Sequence, residues 1–161
     1  MKKILTTLLL AIVFSAGAFA DGEPKNNVEK ISKDVLRDFA YQFYNATNVS
    51  WKIDGAYQKA VFILNGKSTC AMYDNQGYFL MASEQVTADE LPQTIKQNID
   101  QNFSGYEIKD AVKVIARPSD YANDDDTGSY WTALKGEKEI LYVLISPEKT
   151  AKVVRRVGVS K

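Results

Sequence analysis

The chemistry open to this chain is bounded first by what it lacks: its 161 residues include no histidine and one cysteine, Cys70. Without histidine, Ser-His-Asp and Cys-His catalysis and HExxH zinc sites all fall away. Three other constellations stand out. Gly66-Lys67-Ser68 has the ending of a phosphate loop, but the leading glycine's place is taken by Val61, and a strand follows where a helix is required. Ser146-Pro147-Glu148-Lys149 spells S-x-x-K, yet it falls in a strand-to-strand turn, not on a helix that sets the lysine one turn past the serine. Asp120, Asp124, Asp125 and Asp126 crowd carboxylates together ahead of Gly128. Such a cluster suits calcium, a hard cation that takes roughly six to eight oxygens. The spacing is no EF-hand, because the glycine is misplaced and no glutamate closes the loop; a solvated acidic loop is the plainer reading. The chain is therefore read as having no catalytic residues and no cofactor, and as not being an enzyme.

Aromatic and apolar residues at strand spacing say more. Side chains alternate across a strand, so Ala60, Phe62 and Leu64 share one face and Tyr57, Lys59, Val61 and Ile63 the other. Tyr130, Thr132 and Leu134 align with the first set, which turns Trp131, Ala133 and Lys135 outward. Tyr57, Lys59, Val61, Ile63, Trp131 and Lys135 are thus the candidates for an open binding face, since Tyr and Trp dominate protein-binding hot spots. The plainer readings are a mixed sheet surface, or a face partly covered by the 117–128 loop.

The elements that must position these residues can be read from turns and periodicity. Asn48 to Leu80 holds four β-prone runs punctuated by Asp54-Gly55, Asn65-Gly66-Lys67 and Asp74-Asn75-Gln76-Gly77. Asp-Gly and Asn-Gly favour type I′ hairpins, so the stretch reads as an antiparallel meander. Ahead of it, Ile31, Val35, Phe39 and Phe43 form a helical stripe with Ser32 as N-cap. After it, Leu91, Ile95, Ile99 and Phe103 form a second stripe, with Asp89 as N-cap, Pro92 in the first turn and Gly105 as the stop. Strands are expected again over Tyr106 to Ala116, Ser129 to Lys135, Glu139 to Ser146 and Thr150 to Val157.

The two stripes match at one constant offset, and the turns after them recur in the same order. This predicts an α+β fold made as a tandem repeat of α-β-β-β-β units, with two helices packed on an antiparallel sheet. The repeats are placed at 28–86 and 87–161 of a single domain.

Lys2 and Lys3, the apolar run from Ile4 to Phe14, and Ala18-Phe19-Ala20 compose a signal peptide over 1–20, with cleavage expected before Asp21. Residues 21–27 read as a linker. About 140 residues remain, enough for one domain with a real core and no disulfide. Lys plus Arg equal Asp plus Glu at 20 each, and losing Lys2 and Lys3 leaves the chain slightly acidic. That balance argues against a nucleic-acid partner, and the short cleaved leader against stable membrane insertion. Cys70 alternates with Met72 and reads as a small buried hydrophobe.

Six motifs then carry a resemblance. They are F-x₃-F (Phe39, Phe43), N-V-x-W (Asn48, Val49, Trp51), Y-x-x-A-x-F (Tyr57, Ala60, Phe62), A-x-Y-D-x-x-G (Ala71, Tyr73, Asp74, Gly77), L-P-x-x-I (Leu91, Pro92, Ile95) and G-Y-x-I (Gly105, Tyr106, Ile108). Across nearly the whole mature chain the pattern resembles exported Gram-negative proteins described as PepSY-like or β-lactamase-inhibitor-protein-like. The resemblance implies tandem helix-plus-sheet units in the periplasm, and inhibitors that hold a protein on an aromatic-rich sheet face. The chain departs from the pattern in its acidic insertion, Ala122 to Gly128, and in Ala46, where the family often has proline. The expectation is a non-catalytic periplasmic or secreted module, binding or inhibiting a protein or peptide through that face. The alternative is a sensor or carrier for a small molecule or calcium.

Overall fold

The computed structural model describes residues 27–118, 126–148 and 150–159. The signal peptide, the linker up to residue 26, and Asp120, Asp124 and Asp125 lie outside them. A 3-10 turn, Val28–Lys30, leads into α1 (Lys33–Gln42), β1 (Thr47–Asp54), β2 (Tyr57–Leu64), β3 (Lys67–Asp74) and β4 (Phe79–Gln85). Then come α2 (Gln93–Asn102), β5 (Glu107–Ala116), β6 (Tyr130–Lys135), β7 (Glu139–Ile145) and β8 (Ala151–Gly158). The fold is α+β, and the strand pairings within each half are antiparallel. Two compact units divide it. One holds α1 and β1 to β4 with Ile115 and Ala116; the other holds α2, β5 as far as Val114, and β6 to β8.

In the first unit the strands run in the order β1-β2-β3-β4. Asn65 and Gly66 adopt φ of 51° and 79°, the paired positive values of a type I′ turn, and so set Leu64 opposite Lys67. Ser32 caps α1, its Oγ accepting from the Val35 N–H at 3.2 Å, and Asp34 sits in the positive first turn. The stripe Ile31, Val35, Phe39 and Phe43 is buried. Beneath it runs a cross-strand row, Trp51–Ala60–Ala71–Ala82, one residue from each strand. Three alanines in that row leave room for large side chains from the helix. Phe39 fills it, meeting Trp51 edge-on at 5.1 Å and Phe62 at 5.0 Å, the arrangement that ring quadrupoles favour. Ile115 and Ala116 pack against the same cluster.

The second unit has the order β5-β6-β7-β8 and an aliphatic core. Leu91, Ile95 and Ile99 are buried with Ala111, Leu134, Leu141, Val143 and Ile145, and Phe103 packs against them. Asp89 is not the helix cap. Pro92 holds that position with extended ψ of 143°, so helical backbone begins only after it, too far on for the Asp89 side chain to reach. The preceding turn is closed instead by Thr87, whose N–H and Oγ1 both donate to Glu90 Oε2. Asp89 contributes its carbonyl, which accepts from Lys96 Nζ at 2.9 Å. At the β6–β7 turn Gly136 is required by close approach, since a Cβ there would stand 2.8 Å from the Tyr106 ring. Tyr106 in turn donates its hydroxyl to Glu139 Oε1 at 2.7 Å.

Candidate functional site

Four of the six sequence candidates stand on β2 in the first unit. Ala60 and Phe62 belong to the cluster under α1 and Leu64 packs against it, whereas Tyr57, Lys59, Val61 and Ile63 do not. Their cross-strand partners define the rest of that second face. One row reads Lys52–Lys59–Met72–Met81 and the next Ser50–Val61–Cys70–Ser83. Met72 and Met81 are each 1% exposed. In the second unit the corresponding register is Val112–Trp131–Leu144, with Ala133 opposite Tyr142. Val112, Val114, Trp131 and Ala133 are buried without belonging to the cluster under α2. Sequence reasoning missed Met81, Val112 and Val114, although alternation along β4 and β5 was the signal that could have placed them.

The exposure of these residues needs correcting. An open surface was expected, but Tyr57, Lys59, Val61 and Trp131 are buried in the full-length chain, Trp131 at 3% exposure. Ile63 is half-buried, and only Lys135 is exposed. At Trp131 a polar tether accounts for part of this. Its indole Nε1 donates to Asp126 Oδ2 at 3.2 Å. The turn bearing Asp126 is itself tied down, because the Gly128 N–H donates to the Val114 carbonyl and the Ser129 N–H to the Asp126 carbonyl. Asp126 is the one member of the acidic quartet within the described residues, and its carboxylate serves the indole. Among the described residues no group of three or more acidic or thiol side chains stands close enough to hold a metal.

Electrostatics on the face are those of burial. The Lys59 ammonium is shielded from water and held by Asp54 Oδ2 at 2.9 Å. Burial pushes the Cys70 thiol up to about 11, more than nearby Lys59 and Lys52 pull it down. Burial, then the Asp74 carboxylate opposite, raises Tyr57 above its ordinary value. On the helix side, burial first and Asp38 second hold the Tyr73 phenol far above its usual range. The Cys70 thiol and the Tyr57 and Tyr73 phenols are thus kept in their neutral forms at pH 7, which suits packing and not proton transfer.

Elsewhere in the first unit, a shallow open cleft of about 270 Å³ lies between the Val28–Lys30 turn and the β1–β2 hairpin. Lys30, Ser32, Ile53, Tyr57, Gln58 and Asn75 line it. Its Gln58 amide is already used: Gln58 Nε2 donates to the Asp74 carbonyl, and Gln58 Oε1 accepts from the Ser32 N–H. Tyr41, Tyr44 and Tyr78 are the most exposed aromatic side chains described. No described helix is long and apolar enough to cross a membrane.

No protein-family model matches the chain, and no curated protein sequence does either. Solved structures do share its fold. A DUF2874 family protein from Bacteroides uniformis superposes with a TM-score of 0.63 at 20% identity, covering 80% of this chain and 90% of that one. A BLIP-like protein from Bacteroides fragilis gives 0.63 at 13% identity, covering 90% and 93%. A protein from Bacteroides eggerthii, described as a putative periplasmic protein, gives 0.62 at 18% identity, covering 80% and 88%.

Proposed function

We propose that the chain is a non-catalytic binding module of the periplasm, which engages a protein or peptide through the strand face that, in each unit, is turned away from that unit's helix. We also read its two α-β-β-β-β runs as copies of one ancestral unit. The observation that carries the functional reading is the composition of that face. A sheet covered by a helix on one side needs only one apolar face, and the other is ordinarily solvated. Here the second face is apolar as well, with Val61, Cys70, Met72 and Met81 in one unit and Val112, Val114, Trp131 and Ala133 in the other. Methionines at the centre of such a surface adapt to varied partner shapes. The BLIP-like neighbour supports a protein partner, and the neighbour described as periplasmic supports the compartment, as does the leader at 1–20.

The exposures above are those of the full-length chain, whereas the species expected to meet a partner begins at Asp21. The test therefore uses that mature chain in the periplasm. A photo-crosslinking residue at Met81, on the face, should give a discrete adduct, and the same residue at Tyr41, on the outside of α1, should not. Adducts from Tyr41 alone would move the site to the helix side. Intact mass should begin at Asp21, and a mass that retains Met1 would overturn the compartment.

A further inference from the structure

The outer edge of β8 is a feature separate from the strand face discussed above. β8 stands at the end of the strand order in its unit and pairs with β7. Antiparallel ladders alternate, so that every second residue turns its N–H and C=O away from the partner strand. The Val159 N–H donates to the Lys138 carbonyl and the Ser146 N–H to the Thr150 carbonyl. Counting inward from these two bonds, Val157, Arg155 and Lys152 bond toward β7, while Gly158, Arg156, Val153 and Ala151 present their amides outward. A bulge between Tyr142 and Val143 leaves Val154 without an opposite residue and divides the edge in two. The segment beyond it, Arg155 to Gly158, is short and regular.

Charge decides what such an edge accepts. Lys152, Arg155 and Arg156 are exposed, and β8 contains no acidic residue. Leu141 and Tyr142 of β7 stand opposite Arg156 and Arg155, so the two arginines project from opposite faces of the ribbon. Arg155 lies over the Tyr142 ring at 5.9 Å, and Arg156 Nη1 donates to Glu139 Oε1 at 3.0 Å. Pairing with β8 of a second copy would set cations against cations, and like charges in register destabilise a ladder. The first unit's outer strand differs on both counts: the Asn27 N–H already donates to the Trp51 carbonyl of β1, and β1 carries Asp54 beside Lys52. We infer that the edge of β8 receives a short extended peptide bearing two consecutive acidic residues, added as a further antiparallel strand with one carboxylate toward Arg155 and the next toward Arg156. Lysine and arginine on an edge also discourage unwanted pairing. An acidic strand converts that barrier into selectivity.

The test uses the full-length chain and the labelled peptide acetyl-Thr-Val-Thr-Glu-Glu-Val-Thr-Val-amide, compared with its Gln-Gln counterpart. Fluorescence anisotropy should show the acidic peptide binding at least tenfold more tightly, with the advantage shrinking as salt rises. Arg155→Glu with Arg156→Glu should remove that advantage. Gly158→Pro deletes an outward N–H without touching a β7 bond, and should weaken binding several-fold at unchanged Tm. Slowed exchange of the Arg156 and Gly158 amides on binding would place the strand on this edge. Equal affinity for the two peptides, or binding indifferent to Gly158→Pro, would overturn the inference and leave the basic edge as a barrier only.

Discussion

A thiol ionises inside a protein only where its thiolate is solvated or well paired, and Cys70 has too little of either. Burial dominates, and the ammonium groups of Lys59 and Lys52 offset only part of it. The folded thiol titrates near 11, above the ordinary thiol value, so the group remains protonated at neutral pH. Its contribution to stability is full below the ordinary thiol range and is lost as pH rises toward 11. Iodoacetamide should therefore label the native protein slowly at pH 8 and quickly once urea unfolds it; equal rates would put the thiol at the surface. Trp131 makes a related point about burial. With 3% of its surface exposed and its indole bonded to Asp126, Trp131→Ala should cost about 3–5 kcal/mol in urea unfolding. An unchanged denaturation midpoint would mean that the ring is dispensable to the fold. That outcome would restore it as a free contact residue.

At the scale of the element, the alanine row under α1 makes the sharpest prediction. Ala71 is fully buried between Ala60 and Ala82, directly below Phe39 and its ring neighbours, so Ala71→Leu should overpack the row and destabilise by about 1–3 kcal/mol. Ala71→Gly, which adds no volume, serves as the comparison by urea melt. In β5, the bulge between Ile108 and Asp110 half-buries the Asp110 carboxyl. Burial raises its pKa more than the Ala111 N–H and Lys109 lower it. A raised carboxyl is most compatible with the fold when protonated, below its ordinary range, and that advantage is lost as pH climbs through the folded value. Asp110→Asn should thus raise Tm at pH 7, with a gain that fades toward pH 3; a constant gain would have another cause. What could be read from the sequence follows the range of the interaction involved. The Asn65-Gly66 turn and the Ser32 cap were legible because each is settled within four residues. The Asp89 cap was misread because the extended ψ of Pro92, not the nearest carboxylate, decides where the helix starts. The exposure of Tyr57, Val61 and Trp131 was not legible at all, because alternation assigns a face but says nothing of what lies over it.

For the whole molecule, the two buried clusters are chemically unlike, one a ring stack and the other aliphatic. They are nonetheless joined covalently through one strand. β5 runs unbroken from Glu107 to Ala116, but Val114 belongs to one unit and Ile115 to the other. Melting either unit frays a strand that the other needs. Phe39→Ala should cost about 3–5 kcal/mol and Ile99→Ala about 2–5, and each should lower a single unfolding transition. Two resolved transitions in calorimetry would show that β5 does not couple them. The same strand also gives the chain a schedule. A polypeptide leaves the ribosome amino end first, so α1 and β1 to β4 emerge long before Ile115 and Ala116, the residues that lie against their cluster. Until residue 116 is clear of the exit tunnel, the first half lacks the packing of these two residues. Under the export proposed above, in which an unfolded chain is threaded through a membrane pore, that delay would keep the leading half pliable while the rest of the protein is being made.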